Sequence, residues 1–269
     1  MSPRAPIRQL ATHDVINQAP PLPESNLYDG DAALREGLRR EGGAWAEEPV
    51  RALGAVAGAE ATRRLASQAN RFGPELRAFD PAGQRIDEVE FHPAYHELLG
   101  IGIAHQVHSI AWSAQRPGGH VAHAALQILM TQAEAGVCCP LAMTYAALPA
   151  LRHEPALAEA WAPRILSTRY DPRFIPAAEK AGVTLGMAMT EKQGGSDVRS
   201  NTTRAEPLGN GARDAFALWG HKWFCSAPMS DAFLTLAQTE RGLTCFLVPR
   251  WTPDGERNAI RIQRLKEKL

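Results

Sequence analysis

The chain has 269 residues, enough for one large domain or two of ordinary size. Lys and Arg number 29 and Asp and Glu 29, so a formal net charge of zero gives no overall pull toward a phosphate backbone or an anionic membrane. With 45% hydrophobic and 22% charged residues, the composition is that of a folded globular protein and excludes a disordered or collagen-like chain.

Arg4 and Arg8 near the start are followed by no apolar run, so a secretory signal is not expected. Nowhere do about 18 apolar residues run together, as a membrane helix would require. Residues 1–30 read as an extended arm lying on something larger, because Pro20, Pro21 and Pro23 sit among Asn and Ser and lack backbone donors. Asp31 is placed to cap a helix reaching Arg40, and apolar residues at every third or fourth place predict a helix over 52–70, weakened by Gly54 and Gly58. Further helices are predicted over 93–109, 119–136, 141–151 and 155–167, parted by punctuation such as Arg116-Pro117-Gly118-Gly119.

Four cysteines without CxxC spacing fit a reducing cytoplasm, and the adjacent Cys138 and Cys139 read as small buried packing residues. His92 with His96, and His105 with His108, have helical spacing, but Pro93 interrupts the first pair and no HExxH or cysteine partner exists. No metal is expected.

After Tyr170-Asp171-Pro172 the pattern changes to short runs bounded by turn residues, at 183–190, 200–206, 215–224, 232–238 and 244–249. These predict antiparallel strands. The expected fold class is α+β, with a helical domain over 31–182 followed by a β-barrel or β-sandwich domain over 183–269 that is incomplete at its end. The closing segment, with Arg261, Arg264, Lys266 and Lys268 relieved by Glu267, reads as solvated.

The densest chemical signal is the strand over 185–190 that breaks into Glu191-Lys192-Gln193-Gly194-Gly195-Ser196-Asp197. Glycines let a backbone approach a ligand, and free N–H groups in such a turn hold anionic or carbonyl oxygens, although the same residues also make an ordinary hairpin turn. It is neither a P-loop nor a dinucleotide fingerprint. Some thirty residues on, Gly220-His221-Lys222-Trp223-Phe224-Cys225-Ser226 reads as an aromatic strand, suited either to a flat heterocycle or to simple half-burial.

The two segments together resemble the acyl-CoA dehydrogenases, in which a Thr-Glu-x-x-x-Gly-Ser-Asp turn holds the flavin and a Gly-x-Lys-x-aromatic-x-Ser/Thr strand contacts its ring. The wording 190–198, Ser200-Asn201-Thr202-Thr203, Phe91-His92-Pro93-Ala94-Tyr95-His96, Glu134-Ala-Gly-Val-Cys-Cys-Pro140 and the 253–260 segment resemble the AidB-type branch of the adaptive response to DNA alkylation, along essentially the whole chain. The resemblance implies FAD as cofactor, lined by Met187, Ala188, Met189, Thr190, Gly194, Gly195 and Ser196. Thr190 would meet the pyrimidine edge and Ser196 the pyrophosphate. Phe224 would pack on the ring, Ser226 would stand where a hydroxyl meets N5, and Cys225 would contribute backbone. Lys222 and Trp223 would face away, and Glu191 would be structural.

In such a family the reaction is α,β-dehydrogenation of an acyl-CoA, with flavin accepting hydride. The general-base glutamate lies in a C-terminal helical bundle outside this chain, so no catalytic acid or base is nominated here, and the fragment alone is expected to be inactive. The resemblance further implies a cytoplasmic homotetramer when complete, with DNA contact through the absent C-terminal region. The alternative is a DNA-protecting protein whose flavin is structural or deactivates alkylating agents, without acyl-CoA turnover.

Overall fold

The computed structural model describes residues 10–209 and 215–266. Residues 10–25 of the arm are exposed and lie in no helix or strand, and the chain then closes into a single helical turn, α1 (Leu27–Gly30). Asn26 caps that turn, its side-chain oxygen accepting from the Tyr28 and Asp29 N–H groups at 3.0 and 3.3 Å. Asp31 caps α2 (Ala32–Arg40) through the Leu34 N–H at 2.8 Å, as the sequence predicts.

The helix predicted over 52–70 is two, α3 (Glu47–Ala57) and α4 (Glu60–Arg71). Gly58 ends the first, and its role is steric: a Cβ there would stand 1.8 Å from the Ser25 carbonyl oxygen. At Gly54 a Cβ would lie 2.4 Å from Asn26 Oδ1. The two glycines are the seat on which the arm lies.

An antiparallel hairpin that the sequence reading passes over follows, β1 (Glu75–Phe79) and β2 (Arg85–Glu90), with Glu75 opposite Glu90. Its turn is recognisable afterwards in Asp80-Pro81-Ala82-Gly83: Asp80 Oδ1 accepts from the Ala82 and Gln84 N–H groups, and Gly83 has φ +79°. The run of charged residues across both strands masks the alternation.

Helices α5 (Pro93–Ala104), α6 (Ile110–Ala114), α7 (Gly119–Ala133), α8 (Cys138–Leu151) and α9 (Pro155–Ile165) complete the helical part. The segment predicted as one helix over 93–109 stops at Ala104, where Gln106 turns to φ +57°. His92 accepts from the Ala94 N–H at 3.1 Å and caps α5, with Pro93 at its first position. Cys138 is buried, whereas Cys139 is exposed, so only the first of the pair is core packing. Tyr28, Leu38, Val50, Leu53, Leu98, Leu126, Leu129, Met130 and Leu141 form one core among α1–α3, α5, α7 and α8.

Strands β3 (Leu185–Ala188), β4 (Arg204–Pro207), β5 (Phe216–Trp219), β6 (Ala232–Thr239) and β7 (Gly242–Pro249) make an open five-stranded sheet that does not close into a barrel. The expectation of antiparallel pairing holds for β4–β5 and β6–β7, while β3 and β4 both run parallel to β6. The tight Thr239–Gly242 hairpin gives β7 the whole of one β6 edge, which leaves the opposite edge to be shared by β3 and β4. Both of those are reached by long connections rather than by hairpins, which permits parallel pairing. The sheet packs on α8 and α9 through a second core of Ala147, Leu148, Leu151, Ile165, Val183, Leu185, Ala232 and Leu234. Thr144 of α8 fixes the register, accepting the Leu185 N–H at 3.0 Å while donating to the Pro140 carbonyl at 2.7 Å. Among the described residues no helix is long and apolar enough to cross a membrane.

Candidate functional site

β3 ends where Met187, Met189 and Thr190 are half-buried and Ala188 is buried. Its last carbonyls are taken up by neighbours: Thr235 Oγ1 donates to Ala188 O at 2.6 Å, Asn201 Nδ2 to Met189 O at 2.9 Å, and the Trp223 N–H to Thr190 O at 2.8 Å. The chain then tightens, with Glu191 and Gly194 exchanging backbone hydrogen bonds at 3.1 Å each way. Gly195 passes so close to Thr190 that a Cβ would meet its Cγ2 at 2.6 Å, which is why the second glycine of the pair is needed. Gly194 is half-buried, and Gly195 and Ser196 are exposed.

Glu191 is the hub that makes this turn rigid. It is 1% exposed, and its two oxygens accept from Thr202 N–H and Oγ1 at 2.8 and 3.0 Å and from Thr203 N–H and Oγ1 at 3.0 and 2.5 Å. Gln193 and the Lys222 ammonium, 3.1 Å away, complete the set. Burial alone would raise its carboxyl; the hydrogen bonds from Thr203 and Thr202 and the one from Lys222 outweigh it and hold the group well below the usual carboxylate range. Glu191 is therefore a structural anion, as its motif position implies.

The segment 220–226 is not a strand. β5 ends at Trp219, and residues 220–230 form a loop that borders β3, tied at one end by Trp223 N–H to Thr190 O and at the other by Asp231 N–H to Thr184 O at 2.9 Å. Left-handed backbone at Phe224 (φ +59°) and Ala227 (φ +49°), with Pro228 behind them, is incompatible with a continuing ladder. The loop nevertheless brings Phe224, Cys225 and Ser226 beside the turn that follows β3. Phe224 is 58% exposed, unusual for so large an apolar ring, while Cys225 and Ser226 are half-buried, and burial pushes the Cys225 thiol up against the pull of Lys222. Lys222 points back to Glu191.

The donor set suits a flat, oxygen- and nitrogen-rich ligand. Among the described residues no protein group hydrogen-bonds the hydroxyls of Thr190, Ser196 or Ser226, so the turn and the loop tied to it carry three open donors, and the loop an exposed aromatic ring. A cleft of about 310 Å³ lies at the start of β3, lined among others by Tyr95, His96, Tyr170, Lys180 and Thr184 and by Ala227 and Met229 of the same loop, and by none of the ten residues named from the sequence.

Residues 17–172 match the family profile of the adaptive response protein AidB N-terminal domain, and residues 186–269 that of the acyl-CoA dehydrogenase middle domain. The chain belongs to the AidB family, within the acyl-CoA dehydrogenases. It is 50% identical to AidB of Escherichia coli (strain K12) over 260 residues, which is 96% of this chain and 48% of that protein. The solved apo form of Bd2924 is 31% identical with a TM-score of 0.79, over 91% of this chain and 50% of that one. Caenorhabditis elegans ACDH-11, solved in complex with C11-CoA, is 28% identical with a TM-score of 0.76, over 98% of this chain and 47% of that one. The chain thus spans about half the length of these relatives.

Sequence reasoning named the residues of the AidB-type turn but not those that brace it. Asn201, Thr202 and Thr203 stand in the Ser200-Asn201-Thr202-Thr203 run that carries the AidB resemblance, and that run is the signal from which their role could have been found.

Proposed function

We propose that this chain is the flavin-binding half of an FAD-dependent oxidoreductase of the acyl-CoA dehydrogenase type. One observation carries the reading: three unengaged hydroxyls and the exposed ring of Phe224 border a turn that the buried Glu191 hub holds in place. Met187, Ala188, Met189, Thr190, Gly194, Gly195 and Ser196 would hold FAD on one side, and Phe224, Cys225 and Ser226 on the other. Bound there, the flavin supplies a hydride acceptor. Thr190, Ser196 and Ser226 would donate hydrogen bonds to it, Phe224 would lie beside its ring, and the Gly194–Gly195 backbone would allow close approach.

The ACDH-11 complex with C11-CoA supports an acyl-CoA substrate for the whole protein. The general-base glutamate, any contact with DNA and the contacts of a homotetramer belong in this reading to the half of the relatives beyond this chain's span. A cytoplasmic setting, and the division into an arm (1–30), a helical domain (31–182) and a β domain (183–269), are parts of the same proposal.

The test is the visible spectrum of the purified chain after incubation with FAD and desalting. A retained flavin band is expected, weakened about tenfold in affinity by Thr190→Ala or Ser226→Ala, the usual scale for one hydrogen bond in a dry site. A chain that is folded by circular dichroism and retains no flavin overturns the proposal.

A further inference from the structure

The described residues that follow β7 stay largely exposed, Arg261, Arg264 and Lys266 among them, in keeping with the reading of this segment as solvated. They cross to the β1–β2 hairpin. Arg257 donates to the Ile86 carbonyl, the Ile262 N–H donates to Asp87 Oδ1 at 2.8 Å, and the Arg85 guanidinium donates to the Ile262 carbonyl at 3.0 Å. Asp87 is the anchor: it is 1% exposed, it receives Arg85 Nε at 2.8 Å, and Arg261 lies 3.6 Å away. Its backbone sits at φ +49°, a conformation that costs energy for any side chain and persists only where the surroundings fix it.

Beyond this anchor the chain reaches the proposed flavin loop. Arg264 lies over the Trp223 ring at 5.4 Å, and Lys266 over the Phe224 ring at 5.5 Å. Lys192, from the glycine turn, approaches the same Trp223 at 5.7 Å. Trp223 and Phe224 meet edge to face at 5.6 Å, and Phe224 is itself in the left-handed region. A loop with strained backbone at Phe224 and Ala227 and an exposed aromatic needs external contacts to stay in one conformation, and cations over ring faces supply them.

We infer that residues 257–266 form a strap, anchored on Asp87, whose cations Arg264 and Lys266 position the Trp223–Phe224 loop and set positive charge beside the flavin site. The second half of this inference rests on the flavin reading above; the strap itself does not. Arg264 and Lys266 are positioning residues, acting on the ligand through the aromatic pair and through their field, and positive charge beside a flavin favours its reduced, more negative form.

The experiment compares the full 269-residue chain with the Arg264→Gln/Lys266→Gln and Arg264→Lys/Lys266→Arg variants. Hydrogen exchange without flavin is expected to quicken about tenfold at residues 223–227 in the Gln variant, as two exposed cation–π contacts are lost, and to stay near the wild-type rate in β6. The charge-conserving variant should restore protection. With FAD, the Gln variant should bind severalfold more weakly and show a more negative midpoint potential, both recovered by the charge-conserving variant. Unchanged exchange at 223–227 overturns the strap. Faster exchange with unaltered flavin affinity and potential overturns the charge role, and a wild-type chain that binds no flavin while exchange responds removes the flavin reading and leaves the strap standing. Asp87→Asn, which keeps an acceptor for Ile262 but loses the charge, should loosen 223–227 in the same direction.

Discussion

Glu191 stays ionised inside the protein because five neutral donors and one ammonium surround it, so its desolvation is compensated group by group. Glu191→Gln leaves Lys222, which is 12% exposed, without its counter-ion, and is expected to cost about 3 kcal/mol, the scale seen when one partner of a buried pair is removed. Urea unfolding measures this, and Glu191→Gln/Lys222→Met should recover part of the loss. His108 presents the opposite case. It is 2% exposed, with no hydrogen bond to Nδ1, and burial pulls its pKa down to about 4. An unfolded chain takes up this proton near the ordinary value of 6.5 and the folded one only near 4, so stability complete above 6.5 falls as the pH drops between those values. The loss reaches up to about 3 kcal/mol from this one residue. His108→Gln should flatten the slope of unfolding free energy against pH in that window, and an unchanged slope would remove His108 as its source. Neither environment is legible in the sequence. Thr202 and Thr203 lie more than ten positions from Glu191, and His108, legible only as one of a pair with His105 at helical spacing, carries no sign of what encloses it.

At the scale of elements, the predicted helices appear with shifted ends, and the differences have local causes. The prolines and glycines that punctuate the chain are read correctly as breaks, Gly58 among them, and Gly54 and Gly58 also admit the arm. Gly58→Ala keeps a helical backbone (φ −85°) yet drives a methyl into the Ser25 carbonyl, and is expected to destabilise by about 2 kcal/mol. The arm should also become sensitive to proteinase K, because Arg63, which holds the Leu22 and Pro23 carbonyls, loses its aligned partners. Thermal melts and the cleavage pattern check both points, and an intact arm would show that the contact yields. The hairpin of β1 and β2 is hidden by its own composition, since Arg77, Arg85, Glu88 and Glu90 dilute the alternation on strands that are partly exposed. The loop over 220–230 misleads in the other direction. Its aromatics have strand propensity, but positive φ at Phe224 and Ala227 and the proline that follows at 228 are incompatible with a strand.

For the whole molecule, the second core joins helical and sheet portions through Leu148 and Leu151 on one side and Leu185 and Leu234 on the other. Leu148, 2% exposed, is central to it. Leu148→Ala should cost about 2–5 kcal/mol, and helical circular dichroism and tryptophan fluorescence should be lost in one transition in both wild type and variant. Two separated transitions would show that the sheet and helices fold independently. The sequence by itself determined the α+β class, the order of helices before strands, the AidB-type motif and the identity of the residues around the glycine turn, because periodicity, punctuation and motif wording are local properties. Only the tertiary structure decided that β3 and β4 lie parallel to β6, that the arm is seated on two glycines, that Thr202, Thr203 and Lys222 fix Glu191, and that Asp87 ties the last described residues to the β1–β2 hairpin. Each of these joins residues distant in sequence, and no local preference of either partner encodes the meeting.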